Sequence, residues 1–334
     1  MKRIVFTAPH SVDLEEVPIP EPGNGNLLVR VSVSGISAGT EMTYYHGAPE
    51  LRLAKEEYTY PIRPGYEAVG FVEKCGAQVD GFRPGDRVIC PGYHAQYVEV
   101  EASLSARLPA EVSNEQATLA MLAVTSMHAV RRAALQYGDR VVVIGLGVVG
   151  ILAAQQARLA GASQVIGLDV DPWRLKVAKE LDIDLVVDAR SQTAHQEILS
   201  ATDGIGADVV IEAAGVGSAI TDALLYVRDR GRIVILGYHT GSVEINPGDE
   251  FWYKEVDILA TRAMGPTPGL PISYVRWTTD RSLKLAIELL ARGAIKTNGM
   301  LTHRYPYTMA DQAYQMIDQR RENFLQVVFL WDQA

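Results

Sequence analysis

The chain has 334 residues, of which 48% are hydrophobic and 21% charged, and its formal net charge at pH 7 is −9. A chain of this length predicts two domains, since single hydrophobic cores rarely grow beyond about 250–300 residues. The acidic balance, without any basic cluster, argues against nucleic acids and anionic membranes as partners. Cys75 and Cys90 are too few for a disulfide scaffold or a four-cysteine zinc site.

Targeting signals are not visible in the sequence. The N-terminal residues MKRIVFTAPH pass into a strand-like run and do not form the long apolar core of a signal peptide. The most apolar stretch, residues 141–154, is shorter than the ~20 residues that a membrane-spanning helix needs. We therefore expect a cytoplasmic protein without a membrane segment.

The first 107 residues are predicted to be rich in β-structure. Short alternating or β-branched runs are separated by turns that contain proline and glycine, as in IPEPGNGN and GFRPGDR. This spacing is typical of a small barrel or sandwich. Ser113, with Gln116 three residues later, then predicts the start of the first long helix.

From Leu108 to about Ala263, helical and strand-like segments alternate, which predicts a doubly wound parallel sheet. The predicted strands are residues 141–144, 164–168, 185–187, 208–212, 232–236 and 257–261. After Met264 the sequence predicts a loop (GPTPGLP), an amphipathic helix, a strand, another helix and a closing strand. The last four cover residues 281–293, 303–307, 309–320 and 325–331.

A dinucleotide-binding motif lies in the first of these strand and helix pairs. Gly145, Gly147 and Gly150 fill a G-x-G-x-x-G pattern between a β-branched run and an alanine-rich helix. The first glycine allows a tight turn, the second lets the backbone approach a pyrophosphate, and the third lets the helix pack closely on the strand. The N–H groups at the start of that helix, at Val148 and Val149, are predicted to face the phosphates.

The next strand ends at Asp169, in the position that accepts hydrogen bonds from the adenosine ribose. A carboxylate there repels the additional phosphate of NADP, so the sequence predicts NAD. Arg174, five residues later, keeps NADP open as the less favoured cofactor.

The whole chain resembles the medium-chain dehydrogenase/reductase superfamily, the alcohol-dehydrogenase-like enzymes. The matching segments are EVPIPEPGNGNLLVRVSVSGIS, PGYEAVGFVEKCG, GFRPGDRV, the glycine motif, DVVIEAAG and GRIVILG. The resemblance implies an α/β protein with a Rossmann doubly wound parallel sheet inserted in a GroES-like β-barrel catalytic domain. It implies a catalytic domain at residues 1–115, a Rossmann domain at 116–263 and a returning segment at 264–334. It also places Thr125 and Ala214 beside the cofactor.

The chain departs from this family at the metal ligands. Zinc-dependent members hold the ion with the cysteine of GICG, the histidine of GHE and a later acidic residue or cysteine. Here these positions are Ser37 in SGIS, Tyr66 in GYE and about Met121. A hydroxyl, a phenol and a thioether are poor zinc ligands, so we predict no metal site and no zinc. The SGISAGTE and PGYE segments are similar to a subgroup that includes bacteriochlorophyllide hydroxyethyl dehydrogenases, which oxidise a secondary alcohol.

Without a metal, a hydrogen-bond donor or general base has to stabilise the oxygen of the reacting alcohol or ketone. Tyr66 and Ser37 occupy the ligand positions and are the predicted catalytic residues. Tyr66 is alternatively an apolar plug in the lost metal site. Thr40, with Glu41, approximates the G-T/S-D motif whose hydroxyl belongs to a proton relay in the family, and a turn-stabilising role is equally open. Glu41 and Glu67 are expected to orient other groups.

Other polar and aromatic residues receive more modest predictions. His46 is expected at the surface, and His94 and His128 in packing or capping roles. Four aromatic residues are candidates for a substrate pocket, although such clusters also form cores and interfaces. They are Tyr44, Tyr45, Trp252 and Tyr253. By resemblance, the strand in FWYKEVDILATRA pairs two subunits, which predicts a homodimer or homotetramer.

Three functions therefore compete. The favoured one is a zinc-independent, NAD-dependent oxidoreductase that acts on a small molecule, a secondary alcohol or polyol and its ketone. The second is an NADPH-dependent enoyl or quinone reductase. The third, of another class, is a dinucleotide-binding protein without catalysis.

Overall fold

The computed structural model describes residues 1–47, 59–239, 242–262 and 275–332. The chain forms two compact units. The first comprises residues 1–121, 276–292 and 300–334, and the second comprises residues 122–275 and 293–299. The predicted GPTPGLP loop and the predicted boundary at residues 263–264 lie outside the described residues.

The described secondary structure follows the predicted order of strands and helices, except that a short helix, α1, lies within the region that was predicted to be rich in β-structure. The strands are β1 (Lys2–Ala8), β2 (Ser11–Glu16), β3 (Asn26–Ile36), β4 (Ala68–Cys75), β5 (Arg87–Cys90), β6 (Tyr97–Glu101), β7 (Ala106–Arg107), β8 (Arg140–Ile144), β9 (Gln164–Asp169), β10 (Leu185–Asp188), β11 (Ala207–Glu212), β12 (Val227–Ile235), β13 (Asp257–Ala260), β14 (Leu301–Pro306) and β15 (Gln326–Leu330). The helices are α1 (Ala38–Tyr45), α2 (Asn114–Arg132), α3 (Val148–Leu159), α4 (Pro172–Glu180), α5 (Ala194–Ala201), α6 (Gly217–Tyr226), α7 (Thr279–Ala291) and α8 (Ala310–Asp318).

The first unit is built on a seven-stranded sheet. Its order is β14-β15-β3-β4-β5-β7, and β6 pairs with β3. The long strand β3 pairs with β6 through residues 26–30 and with β15 through residues 33–36. The last strand of the chain therefore lies beside an early one, in antiparallel register.

The second unit is built on a six-stranded parallel sheet of order β10-β9-β8-β11-β12-β13. The strand order reverses between β8 and β11, and ligands of such sheets bind in the crevice outside the carboxyl ends of the strands at that point. β12 begins at Val227, five residues before the predicted start. The prediction was wrong because a bulge between Val227 and Arg232 carries the polar sequence RDRG, which looks like a turn.

The predicted start of α2 is confirmed. The Ser113 hydroxyl accepts a hydrogen bond from the Gln116 N–H at 3.1 Å, and the Gln116 side chain accepts one from the Ser113 N–H at 3.1 Å. This reciprocal pair is a capping box. Within the described part of the chain, no helix is both long and apolar enough to cross a membrane.

Candidate active site

Two glycines of the dinucleotide motif are required by the backbone itself. Gly145 has φ 91°, and a Cβ there would lie 2.6 Å from the backbone nitrogen of Ala214. A Cβ on Gly150 would lie 1.8 Å from the carbonyl oxygen of Gly145. Any side chain at these two positions would collide with backbone, so both glycines allow β8, β11 and α3 to approach one another closely.

Gly147 differs from the other two. Its φ of −68° suits any residue, and the nearest atom to a Cβ there is Nη1 of Arg174 at 4.0 Å. It caps α3, whose first-turn N–H groups, including those of Val148 and Val149, have no partner within the helix by geometry. The open space at this glycine therefore lies beside an anion-binding helix terminus, which fits the predicted approach of a pyrophosphate.

This contrast gives a test of the motif. We expect Gly147→Ala to fold normally, because the fold leaves room for the methyl group, and to weaken NADH binding at least 10-fold, about 1.4 kcal/mol, by blocking the phosphates. Thermal unfolding and NADH fluorescence titration measure the two effects. Gly25→Ala is the matched control, since a Cβ at Gly25 also meets nothing within 4 Å. Equal NADH affinity in both variants would contradict the predicted role.

Asp169 lies at the end of β9 and is 6% exposed. Its Oδ2 accepts a hydrogen bond from the Leu146 N–H at 2.7 Å, and its Oδ1 accepts one from the Asp171 N–H at 2.9 Å. The carboxylate therefore ties the glycine loop to the end of β9. Each oxygen keeps acceptor capacity for a further donor such as a ribose hydroxyl. Nη1 of Arg174 lies 3.9 Å from Oδ2, so the predicted NAD and NADP determinants are adjacent.

A second acidic anchor at this edge of the sheet was missed by the sequence reasoning. Glu212, at the end of β11, is fully buried. Its Oε1 accepts hydrogen bonds from the N–H groups of Ala214 and Gly215 at 2.8 and 2.7 Å, and its Oε2 lies 2.7 Å from Nε2 of His239. It therefore fixes the loop that carries Ala214. The sequence feature that could have identified Glu212 is an acidic residue at the last position of a buried strand.

In the first unit, the predicted catalytic residues lie together. The Tyr66 phenol donates a hydrogen bond to Oγ of Ser37 at 2.6 Å, and the Thr40 hydroxyl also bonds to the phenol. Tyr66 and Thr40 line a cavity of about 460 Å³, together with Tyr44, Tyr93 and the segment of residues 61–65. The cavity can hold a small molecule against the hydroxyl groups of Tyr66 and Thr40.

The protonation state of Tyr66 is set by its surroundings. Burial raises the pKa of the phenol, and the carboxylates of Glu67 and Glu41 raise it further. The hydrogen bonds to Ser37 and Thr40 oppose this rise only in part. The phenol is therefore protonated at neutral pH and suited to donate a hydrogen bond.

A buried polar network adjoins this cavity through Glu41, which is also one of the residues that line it. Oε1 of Glu41 accepts a hydrogen bond from the Ser37 N–H at 2.7 Å, and Oε2 accepts one from the Tyr314 hydroxyl at 2.5 Å. Oε2 also lies 3.0 Å from Nε2 of His94, whose Nδ1 lies 2.7 Å from Oγ of Ser34. Glu41 and His94 are 1% and 0% exposed. Both therefore position their neighbours from inside the fold, as predicted.

Glu67 is the second buried carboxyl group of this region, with 0% exposure. Its Oε2 accepts a hydrogen bond from the Gln326 amide at 3.2 Å, while Oε1 has no hydrogen-bond partner among the described residues. Burial raises the pKa of Glu67 well above 4.5, and the charge of Glu41 adds to the effect. Gly35 leaves room for this carboxyl group, since a Cβ on Gly35 would lie 2.3 Å from Oε2.

This raised pKa has a consequence for stability. Folded protein binds the Glu67 proton more tightly than the unfolded chain, so Glu67 should cost stability as the pH rises from 4.5 toward the raised pKa. We expect the free energy of unfolding of Glu67→Gln, relative to that of the parent, to increase over this range. Urea unfolding at several pH values measures it.

Glu99→Gln serves as the control, with the opposite sign. Hydrogen bonds from the Gly23 N–H and the Asn26 amide lower the pKa of Glu99. Its stabilisation is lost as the pH falls through the lowered pKa, so this variant should lose stability relative to the parent as the pH rises toward 4.5 and should show no further trend above it. The same pH trend in both variants would contradict the assignment of a raised pKa to Glu67.

The remaining predicted residues are more dispersed. Tyr44 lines the cavity, whereas Tyr45 follows the core alternative, because its ring packs against Phe6 and Tyr314 and is 2% exposed. Trp252 and Tyr253 lie in the second unit, 72% and 78% exposed, and line a surface depression there. The other predicted residues lie on helices or directly after them. On α2, Met121 is buried, and Thr125 and His128 are partly exposed. His46 is exposed and directly follows α1.

The fold and the family matches are those of a nicotinamide-dependent dehydrogenase. Residues 23–110 match the alcohol dehydrogenase GroES-like domain, and residues 148–272 match the zinc-binding dehydrogenase family. The chain belongs to the medium-chain dehydrogenase/reductase superfamily, among the zinc-type alcohol-dehydrogenase-like proteins. The predicted fold class is confirmed.

Similar proteins include polyol and alcohol dehydrogenases. A sorbitol dehydrogenase of Bacillus subtilis (strain 168) is 27% identical over 98% of this chain and 96% of its own length. An erythritol/L-threitol dehydrogenase of Mycolicibacterium smegmatis is 29% identical over 97% of this chain and 96% of its own length. The crystal structure of 2R,3R-butanediol dehydrogenase from Bacillus subtilis has a TM-score of 0.83 at 21% identity and covers 99% of both chains.

Proposed function

We propose that the chain is an NAD-dependent dehydrogenase that interconverts a secondary alcohol or polyol and its ketone without catalytic zinc. The observation that carries this proposal is the hydrogen bond of 2.6 Å between Tyr66 and Ser37, beside a cavity. Two hydroxyl groups take the positions where zinc-dependent relatives have metal ligands. The names of the similar polyol dehydrogenases support the substrate class.

The residues at this site do not fit zinc. A phenol must lose its proton to bind a metal, but the pKa of Tyr66 is raised by burial and by two carboxylates. Ser37 accepts the phenol proton in a hydrogen bond, and its neutral hydroxyl is a poor ligand. One oxygen of the Glu67 carboxyl group has no hydrogen-bond partner among the described residues, but burial raises the pKa of this group, and a higher pKa weakens a ligand that must lose its proton to bind a metal. This is the feature in which the chain differs from the zinc-binding character of its family.

The chemistry assigned to the site is protonation of the substrate oxygen. A bound nicotinamide would supply hydride to the carbonyl carbon of the ketone, and the resulting alkoxide oxygen would need one proton. Tyr66 can turn its proton from Ser37 toward that oxygen, and the Thr40 hydroxyl, which lines the same cavity, can relay a proton from solvent water back to Tyr66. Oxidation of the alcohol follows the reverse path. Because burial, and then the nearby negative charges, raise the pKa of the phenol, Tyr66 serves as a donor and not as a free phenolate base.

We assign NAD as the cofactor because Asp169 places a buried negative charge at the end of β9, where NADP would carry its additional phosphate. Arg174 is the observation that favours NADP, since its guanidinium lies near both Asp169 and Gly147. NADPH-dependent enoyl or quinone reduction is therefore the second candidate function.

We also propose that the protein is a homodimer or homotetramer. β13 is the edge strand of the parallel sheet, and the highly exposed Trp252 and Tyr253 precede it closely. An edge strand beside exposed aromatic side chains suits pairing with a second copy.

The experiment that tests the function is a substrate panel of polyols, sugars, secondary alcohols and enones with NADH or NADPH, before and after treatment with a chelator. We expect tighter binding of NADH, turnover of a secondary alcohol or its ketone, and unchanged turnover after chelation. Loss of activity on chelation with recovery on adding Zn²⁺ would overturn the zinc-free assignment. Tighter NADPH binding with enone reduction would favour the second candidate, and a protein that binds NADH but turns over nothing would be a non-catalytic dinucleotide-binding protein.

A further inference from the structure

Two histidines and an aspartate converge on the surface of the first unit, away from the residues assigned to catalysis. His10 lies in the turn between β1 and β2, His46 caps the C-terminal end of α1, and Asp318 is the last residue of α8. Each of the three residues offers one possible ligand atom, and these three atoms all lie within 4.8 Å of one another. Among the described residues, this is the one such group of His, Cys, Asp and Glu side chains.

From this geometry we infer that His10, His46 and Asp318 form a binding site for a divalent transition-metal ion of the Zn²⁺ type. Two imidazoles and one carboxylate are ligands that such ions favour. The site is separate from Tyr66 and Ser37, and it uses residues that the proposed function leaves unassigned.

The distances require only small side-chain adjustments. Nε2 of His46 lies 2.6 Å from Oδ1 of Asp318, and Nδ1 of His10 lies 3.9 Å from Oδ2. Metal–ligand bonds of about 2.0–2.2 Å in tetrahedral geometry separate ligand atoms by about 3.4 Å, between these two values. Both histidines are about half exposed, so water can supply the fourth ligand.

The backbone holds the three residues in place. The His10 N–H donates a hydrogen bond to the carbonyl oxygen of Tyr45 at 2.8 Å, and the His46 N–H donates one to that of Met42 at 2.9 Å. The Tyr45 ring stacks on Tyr314 of α8 with 5.8 Å between centroids. The turn and both helix ends are thereby fixed to one aromatic core, which lowers the entropic cost of assembling the ligands.

The local electrostatics favour a cation. α1 and α8 both end here, and each helix C-terminus carries a partial negative charge of roughly half an elementary charge. Asp318 adds a carboxylate at the end of α8, where a negative side chain is unfavourable. A divalent ion would offset all three charges and would join α1, which carries Thr40 and Glu41, to α8, which carries Tyr314.

The experiment is Co²⁺ and Zn²⁺ binding to the chelator-treated full chain. We expect one equivalent of Co²⁺ to bind with a visible absorption band of low-coordinate geometry, Zn²⁺ to displace it, and Zn²⁺ to raise the melting temperature. His10→Gln, His46→Gln and Asp318→Asn should each weaken binding at least about 10-fold, the lower range seen for lost supporting contacts. His303→Gln is the matched control, because His303 pairs with Glu322 at 3.1 Å without belonging to such a three-residue group.

Absence of metal binding, or binding that none of the three substitutions weakens, would overturn the site. These outcomes are distinct from a failure of the proposed function. If chelation abolishes turnover while His46→Gln remains active, the zinc-free proposal fails and the surface site is judged only by its own Co²⁺ titration.

Discussion

Tyr66→Phe is expected to lower kcat for ketone reduction by about 10²–10⁴-fold, the usual contribution of a positioned proton donor. The substitution removes one oxygen atom and keeps the ring that fills the site. It should leave NADH affinity unchanged, since the glycine motif is untouched, and cost about 1 kcal/mol of stability through the lost hydrogen bond to Ser37. Steady-state kinetics, NADH titration and thermal unfolding measure the three quantities.

Tyr93→Phe provides the matched control. Tyr93 lines the same cavity but is 52% exposed, so its hydroxyl should contribute little to turnover. If Tyr66→Phe retained full activity, the side chain would be an apolar plug in the lost metal position.

The raised pKa of the Tyr66 phenol also predicts how the rate depends on pH. The donor should stay protonated beyond pH 10, the ordinary pKa of tyrosine. The rate of reduction should then show no loss from phenol ionisation up to that pH.

The cofactor half of the protein was largely predictable from sequence, because its chemistry is local. A β-branched run, three spaced glycines and a helix follow one another within a few residues, and the structure gives Gly145 and Gly150 steric reasons of their own. The acid at the end of the next strand was recognised by the same spacing. The hydrogen bonds that the Asp169 carboxylate accepts from the N–H groups of Leu146 and Asp171 were not predicted, because they depend on how the glycine loop lies against the end of β9.

The catalytic half was predictable only in part. Tyr66 and Ser37 were found through the family's metal-ligand positions, and the structure places them in hydrogen-bond contact. The network behind them joins residues from distant parts of the chain, because β15 returns to pair with β3 and α8 packs nearby. Glu41 and Tyr314 are 273 residues apart in sequence, and no local pattern predicts such a pair. Burial likewise decides the charge of Glu67, which composition and spacing do not reveal.

Glu41→Ala is expected to lower the free energy of unfolding by about 3–5 kcal/mol, the usual result of removing one partner from a buried ionic network. The substitution leaves the Ser37 N–H, the Tyr314 hydroxyl and His94 without their acceptor in a region closed to water. Urea unfolding, followed by the fluorescence of Trp331, measures the loss. Trp331 is suited as a probe because its indole N–H donates to Ser34, which contacts His94.

A graded series keeps this prediction testable even if Glu41→Ala does not fold. Tyr314→Phe removes a single donor from Glu41 and should cost about 1–3 kcal/mol. Glu99→Ala removes an exposed carboxylate that also accepts two hydrogen bonds, from Gly23 and Asn26, and should cost less than about 1 kcal/mol. The order Glu41→Ala, Tyr314→Phe, Glu99→Ala follows from burial and not from the number of hydrogen bonds. Equal destabilisation by Glu99→Ala and Tyr314→Phe would contradict this prediction. The buried network around Glu41 would then not be a main source of stability in the first unit, and β3 alone would position Ser37.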